Sequence, residues 1–497
     1  MHFYKNCRVN DSICITEDNW DDFGYRTLFQ VSFVDANGNE HRLGGLSIGY
    51  AGQGKGHTII PSEFVSLPDN YFTLGDKDYY EAIKDRGDAF RKEVLSALND
   101  MAYNTDIYLK YSSQPVVYTS FFRFITPADL LRKFKPLAEG KAIPTPFHYS
   151  YKISNPDGSE CEMEFNVDPE SIPATNIHAI IGKNGAGKTH CLRGIYKSFA
   201  ESNPSLAMKL KMDDENNAIN KSIFVTFSAF DSGDLIVDDN DRCKFIGLKK
   251  KASGMTVNKT DEDLNGDFYE AIIDCCKSGK LFLWIDIMRN LDNSQTFQDV
   301  AILPHIIDNG SMSVSEIEKS PIPLASSAKE CFSKCSSGHK IVLLTLAQLI
   351  AYADEKTLVV MDEPEMHLHP PLMALFIEMI SKLLNVINGF AIVATHSPVI
   401  LQEIPSSCVY VMERRDGGAK VTKPTIATYG ENISLITSKV FEHELQETGH
   451  YKKLRDIGNG NKRYEQALEE FTSDIGDEAK SILRMFIYER EKREKNR

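Results

Sequence analysis

The chain has 497 residues, 42% hydrophobic and 25% charged, the balance of a folded globular protein with room for about three domains. Its formal net charge of −14 excludes a protein that coats nucleic acid over its whole surface, though not one with a local basic groove. No run of about 18 uncharged apolar residues occurs, so no transmembrane span is expected, and Met1 to Asp11 lacks the apolar core of a signal peptide. The ten cysteines are scattered, without a C-x-x-C pair or a matching His/Cys set around Cys331 and Cys335, which points to reduced thiols in a cytoplasmic protein.

Residues 1–145 read as a small α+β domain without a recognisable catalytic constellation. Val31 to Val34 and His41 to Ile48 flank Asn37-Gly38, a hairpin signal. Tyr80 to Met101 predicts one helix with Ile83, Phe90, Val94, Leu95 and Leu98 on one side. A second helix is expected from Thr126-Pro127, a hydroxyl cap followed by proline in the first turn. The cluster Trp20-Asp21-Asp22-Phe23-Gly24-Tyr25 reads as an aromatic core corner beside a turn rather than a binding surface. Arg132, Lys133, Lys135 and Lys141 read as a solvated helix face.

From Phe147 the pattern becomes strand–turn–strand, with His148 to Ser154 and Glu162 to Val167 around Asn155-Pro156-Asp157-Gly158. The largely apolar run Ile177 to Ile181 leads into Gly182-Lys183-Asn184-Gly185-Ala186-Gly187-Lys188-Thr189, which fits G-x-x-x-x-G-K-[ST]. Leu192, Ile195, Tyr196 and Phe199 then fall on one helical face. The glycines let successive N–H groups turn inward at phosphate oxygens, with a helix N-terminus behind them. Lys188 can then reach the β- and γ-phosphates and the Thr189 hydroxyl can ligate Mg²⁺. Ile223 to Ser228 is another buried strand. Asp238 to Lys251 reads as a charged loop whose Lys249-Lys250-Lys251 is solvated, and Phe268 to Ile287 as a helical run. No heptad pattern persists, so a long coiled-coil arm is not expected.

Three later stretches complete a constellation. Lys356 to Met361 is a β-rich run ending in Asp362-Glu363. An aspartate there can hold Mg²⁺ across from Thr189, and the glutamate beside it is placed to orient or deprotonate the attacking water. Phe390 to Thr395 ends at His396, which suits contact with the γ-phosphate from the next strand end. Ser336-Ser337-Gly338-His339 precedes a helical run from Ile341 to Tyr352. It reads either as a plain serine cap or as an anion-facing helix start.

GKNGAGKT, CSSGHK, VVMDEPEMHLHP and ATHSP, in this order, resemble the ABC-type ATPases of the SMC and RecF class without a long coiled coil. The layout is similar to the PtuA-type ATPase subunits of Septu anti-phage systems, which work beside an HNH nuclease. The resemblance covers about 145 to 425. It implies an α/β fold, an ABC-type P-loop ATPase head at 146–430 with a helical insert lobe at about 232–345, the small α+β domain before it and a helical tail at 431–497. It further implies that two heads meet around ATP and Mg²⁺ as a dimer or higher homo-oligomer. Ser336, Ser337, Gly338 and His339 then act on the partner's nucleotide, and His369 stands where the D-loop aspartate usually is. Departures are the missing Q-loop glutamine, with Ser228 as a substitute and Gln295 too far along, Cys335 in place of leucine, and Ser337 in place of glycine. These suit slow hydrolysis.

After His396 no Asp-x-Asp or histidine cluster supports a fused nuclease. Lys439 to Ile457 and Arg463 to Lys495 read as helices separated by Gly458-Asn459-Gly460-Asn461, which dock a partner or cover the core. The function expected is an ATPase that regulates a separate effector, a nuclease, in anti-phage defence. The alternatives are a RecF-like repair ATPase that binds DNA directly and a non-hydrolysing nucleotide sensor.

Overall fold

The computed structural model describes residues 1–123, 125–140, 145–200, 210–212, 219–228, 242–252, 255–297, 300, 314–415, 418–440, 449–471 and 475–495. Its centre is a seven-stranded sheet in the order Cys243–Gly247, Lys221–Thr226, Thr357–Asp362, Phe390–Thr395, Ile177–Ile181, Val409–Arg415 and Gly418–Thr422. Every pairing is parallel except the last. A parallel sheet is covered on both faces, so its inner strands are largely apolar, and alternate side chains enter two different cores. Ile177, Ala179, Ile181, Val359, Met361, Ala391 and Val393 belong to one buried cluster, while Ile180, Phe224, Leu358, Val360, Ile392 and Ala394 belong to the other.

The second cluster is closed by helix Lys188–Ala200 and by a separate antiparallel sheet of Glu160–Val167, Phe147–Ser154 and Leu210–Met212. There Tyr149 stacks on Phe390, ring centres 5.2 Å apart. The first cluster takes in helices Asp261–Lys277, Leu281–Asp292, Ile322–Ser333, Ser337–Tyr352 and Pro370–Val386.

The same cluster continues into the N-terminal region, a six-stranded sheet ordered Glu63–Phe64, Phe3–Lys5, Ser12–Glu17, Leu28–Val34, Glu40–Tyr50 and Tyr71–Gly75. Tyr108 meets Phe282 edge-on at 5.2 Å, and Arg289 donates to the Ser112 hydroxyl at 3.3 Å. The hairpin at Asn37-Gly38 forms, with Gly38 at φ +84° and the Asp35 carboxylate accepting from the N–H groups of Asn37 and Asn39. Thr126 caps Pro127–Asp129 in a reciprocal capping box with Asp129.

Several expectations change. The single helix across Tyr80 to Met101 is two, Lys77–Asp85 and Asp88–Ala97, broken where Gly87 takes φ +93°. The run from Phe268 to Ile287 divides in the same way at Gly279, φ +67°. The described part of the Asp238–Lys251 loop is strand. Cys243–Gly247 edges the main sheet, and Lys249–Ala252 pairs with Met255–Asn258 while Lys250 bonds Asp263 at 2.6 Å.

Arg132 is buried rather than solvated. A π-helical stretch, Leu130–Phe134, turns this face onto the Asp168–Ser171 turn. Arg132 there reaches Asp129 and Glu170 at 3.2 Å each and the Pro169 carbonyl, and Lys133 meets Glu170 at 2.5 Å. Lys135 lies over the Phe282 ring, and Lys141 is outside the described residues.

In the aromatic cluster only Tyr25 is core. Trp20 and Phe23 are 52% and 67% exposed, because Phe23 at φ +53° and Gly24 at φ +96° turn the chain outward. The Arg123 guanidinium sits 5.8 and 5.0 Å from their rings.

In the tail, Gly449–Gly458, Tyr464–Leu468 and Asp477–Lys495 close a small core of Leu454, Ala467, Leu483 and Ile487. The expected Arg463–Lys495 helix is therefore two; residues 441–448 and 472–474 are outside the described set. Among the described residues no helix is long and apolar enough to cross a membrane.

Candidate functional site

The site lies at the carboxyl edge of the parallel sheet, where open α/β sheets place their ligands. Strand Ile177–Ile181 is buried throughout and ends at Gly182. A Cβ at Gly182 would stand 2.0 Å from the Met412 carbonyl oxygen of the neighbouring strand, so only glycine lets the loop leave there. Gly185 and Gly187 take φ +79° and +102°, and helix Lys188–Ala200 follows. Lys183, Asn184 and Gly185 are exposed, whereas Ala186 and Lys188 are buried. Lys188 Nζ donates to the carbonyls of Gly182 at 2.8 Å and Lys183 at 3.3 Å, and to His396 Nε2 at 2.7 Å. An ammonium has only protons to offer, so His396 accepts at Nε2 and carries its own proton on Nδ1.

Asp362 stands in register with Ala394 on one side and Thr226 on the other. Thr189 Oγ1 donates to Asp362 Oδ1 at 3.2 Å, so these two expected residues meet directly. Glu363 extends the ladder through its N–H to the Ala394 carbonyl, 2.9 Å, then turns off at φ +47°. His367 repeats the left-handed conformation at φ +69°. Two non-glycine residues in this sparsely populated region mark a turn that the surrounding structure holds in place. Glu363 Oε1 is 3.4 Å from His396 Nε2. Ser228 follows the strand end at Thr226, whose hydroxyl accepts its N–H at 3.4 Å; the adjoining 229–231 are outside the described residues. Gln295 is exposed in a turn after helix Leu281–Asp292.

Sequence reasoning missed Glu365. Its Oε1 accepts from the His396 N–H at 2.6 Å and from the Thr395 hydroxyl at 2.8 Å, and burial raises its pKa above the usual carboxyl value. The repeated acid of Asp362-Glu363-Pro364-Glu365 was the available signal.

Beside the loop is a cavity of about 600 Å³ between helix Lys188–Ala200, the Tyr151–Pro156 end of the hairpin and the Met412–Ala419 edge. Tyr151, Ile153 and Pro156 line it along with Arg193, Lys197 and Arg414. Gly194 is needed here, since a Cβ would meet the Tyr151 hydroxyl at 2.5 Å.

The serine-rich helix start is built elsewhere. Ser336 caps helix Ser337–Tyr352, with its Oγ 2.8 Å from His339 Nδ1. His339 Nε2 donates to the Thr296 carbonyl at 2.8 Å, and Phe297 packs edge-on to its ring. Ser336 and Ser337 are exposed. Gly338 is buried, and a Cβ there would come within 2.9 Å of the His367 carbonyl oxygen. His369 caps helix Pro370–Val386, its Nδ1 accepting from Leu372 N at 3.3 Å. Both Ser336 and His339 make their hydrogen bonds within this helix start and to Thr296, not to Gly182–Thr189.

The donors suit magnesium. Thr189 and Asp362 offer hard oxygens already in contact, and Mg²⁺ takes one or two such ligands, completing its shell with phosphates and water. Among the described residues no three His, Cys, Asp or Glu side chains gather into a metal cage of their own.

Sheet order and strand-end chemistry together define an α/β P-loop ATPase head. Residues 303–402 match the family model described as "AAA domain, putative AbiEii toxin, Type IV TA system". Protein ea59 of Escherichia phage lambda is 31% identical over 501 residues, covering 95% of this chain and 94% of that protein. The chain belongs to the family of that phage protein. Among solved structures, the SMC head domain from Thermotoga maritima is similar at 12% identity over 56% of this chain and 99% of its own, TM-score 0.25. The MJ1267 ATP-binding cassette of an ABC transporter is similar at 14% identity over 62% and 98%, TM-score 0.29. Superpositions this loose carry no argument about function.

Proposed function

We propose that this protein binds and hydrolyses ATP with Mg²⁺, and that it does so as a head-to-head dimer or higher homo-oligomer. The observation that carries the reading is the convergence of Lys188, Thr189, Asp362, Glu363 and His396 at one sheet edge through direct contacts of 2.7 to 3.4 Å. The N–H groups of Gly182 to Thr189 bind the phosphates, and Lys188 leaves the loop carbonyls for the β- and γ-oxygens. Thr189 and Asp362 hold the metal, which supplies charge neutralisation on the phosphates. Glu363 takes the proton of the attacking water. Once Lys188 has left, His396 Nε2 no longer accepts its proton, and the ring in the form protonated at Nε2 donates to the terminal phosphate, with Glu363 Oε1 3.4 Å from that nitrogen. The base and ribose occupy the cavity against Tyr151 and Ile153. Ser336, Ser337, Gly338 and His339 close over the partner's nucleotide, with His369 beside them.

The biological role proposed is control of a separate effector, a nuclease of HNH type, in anti-phage defence of the Septu kind. Two features support it: the D-E-P-E-x-H-L-H-P box, and a relative encoded by a phage. Purifying the chain with the products of its neighbouring genes tests this. Co-elution of a nuclease whose cutting depends on ATP is expected. DNA binding by the chain alone, with a steep salt slope and no companion, would replace that role by direct action on DNA. Phosphate release from ATP tests the ATPase reading itself; binding without release would make the chain a nucleotide sensor.

A further inference from the structure

Glu365 is joined to the site through the backbone. Strand Phe390–Thr395 ends one residue before His396, so the sheet ladder no longer fixes the peptide that carries the histidine. Glu365 Oε1 fixes it instead, accepting from the His396 N–H at 2.6 Å and from the Thr395 hydroxyl at 2.8 Å. The same hydroxyl accepts the Ser397 N–H at 2.9 Å, so three consecutive residues are held by one carboxyl and its hydroxyl partner. Glu365 Oε2 is buried and has no hydrogen-bond partner among the described residues, a disfavoured state for a group serving packing alone. His396 is the side chain whose Nε2 lies 2.7 Å from Lys188 and 3.4 Å from Glu363. A small shift of its peptide would move the ring off both.

We infer that Glu365 is a positioning residue: through the Thr395–His396 peptide it holds His396 at the terminal phosphate and thereby sets the preference for nucleoside triphosphate over diphosphate. The inference rests on the ATPase reading of the site. It assigns Glu365 no contact with nucleotide, metal or attacking water.

The test uses the full chain with Mg²⁺, measuring kcat and KM for ATP and the Kd of ADP and of a non-hydrolysable ATP analogue. Glu365→Ala is expected to lower kcat roughly 10- to 100-fold, the scale of a misplaced catalytic group. It should leave ADP affinity within twofold and bring the triphosphate-to-diphosphate preference down to that of His396→Ala. The double variant should be no worse than His396→Ala, since the two act in series. Glu365→Gln, which keeps a carbonyl acceptor for both donors, should recover most of kcat. Thr395→Val keeps the test open if Glu365→Ala does not fold, and must shift the same preference in the same direction. Additive losses in the double variant, or equal weakening of both nucleotides, would overturn the inference. If wild type neither hydrolyses ATP nor distinguishes it from ADP, the ATPase reading fails first, and the two failures are separate.

Discussion

Two helix starts in this chain each follow a stretch of small residues and differ in surroundings. Helix Lys188–Ala200 begins behind three glycines, and helix Ser337–Tyr352 behind Cys335 and its capping Ser336. Each leaves its first N–H groups without intrahelical partners, the raw material of an anion site. At the first, the helix start itself supplies Lys188 and Thr189, and the neighbouring strand ends supply two carboxyls and an imidazole, with Lys188 bonded to His396 and Thr189 to Asp362. The second has exposed Ser336 and Ser337 and spends its polar contacts on its own cap and on Thr296. A helix N-terminus becomes a chemical site through its neighbours. On this account the second start finds them only on another molecule.

The comparison can be broken from either side. Lys188→Ala removes the cation that reaches the phosphates and should weaken ATP at least ~100-fold, the scale of a lost charge-assisted contact of ~3 kcal/mol. Calorimetric titration that finds affinity intact would remove the first start from the account. Glu363→Gln should slow phosphate release by roughly 100-fold or more while nucleotide affinity stays within twofold; turnover at the wild-type rate would take the base role from Glu363. Ser337→Arg crowds the second start with a long cation. Hydrolysis should fall roughly 100-fold, the scale of a lost preorganised electrostatic donor, with monomer affinity for ATP unchanged. A fall in affinity instead would mean that Ser337 serves its own nucleotide.

The smallest effect concerns stability, away from both starts. Burial pushes the Asp100 carboxyl up to about 7, while it accepts from Tyr80 and from the N–H groups of Ala102 and Tyr103. The folded chain therefore holds a proton that an unfolded aspartate releases near pH 4. The stabilisation is full below about pH 4 and is lost as pH rises through 7. Asp100→Asn retains the backbone acceptor, so its denaturation midpoint should decline less from pH 5 to 8 than that of wild type. Equal slopes would assign the pH dependence to other groups.

The strand ends were legible because each is announced locally, by an apolar run stopping at Gly182, Asp362 or His396. The hairpin at Asn37-Gly38 and the cap at Thr126 are local in the same sense. Helix breaks at Gly87 and Gly279 were not read, because a glycine inside an amphipathic run is tolerated or not according to tertiary packing. Arg132 looked solvated because a sequence does not display the π-helical turn that buries it. Trp20 and Phe23 looked like core because the outward turn at Phe23-Gly24 is set by backbone conformation rather than hydrophobicity. Glu365 was missed for a related reason: its partners are 30 and 31 residues away, at the end of the next strand and just beyond it.

The central claim is that one chain holds half of each site. Light scattering on Glu363→Gln, with saturating ATP and Mg²⁺ and then with ADP, tests it most directly. The account predicts twice the 55.9 kDa chain mass, or a higher multiple, with ATP, reverting with ADP and abolished by adding Ser337→Arg. A chain that binds ATP fully yet stays at 55.9 kDa would contradict it.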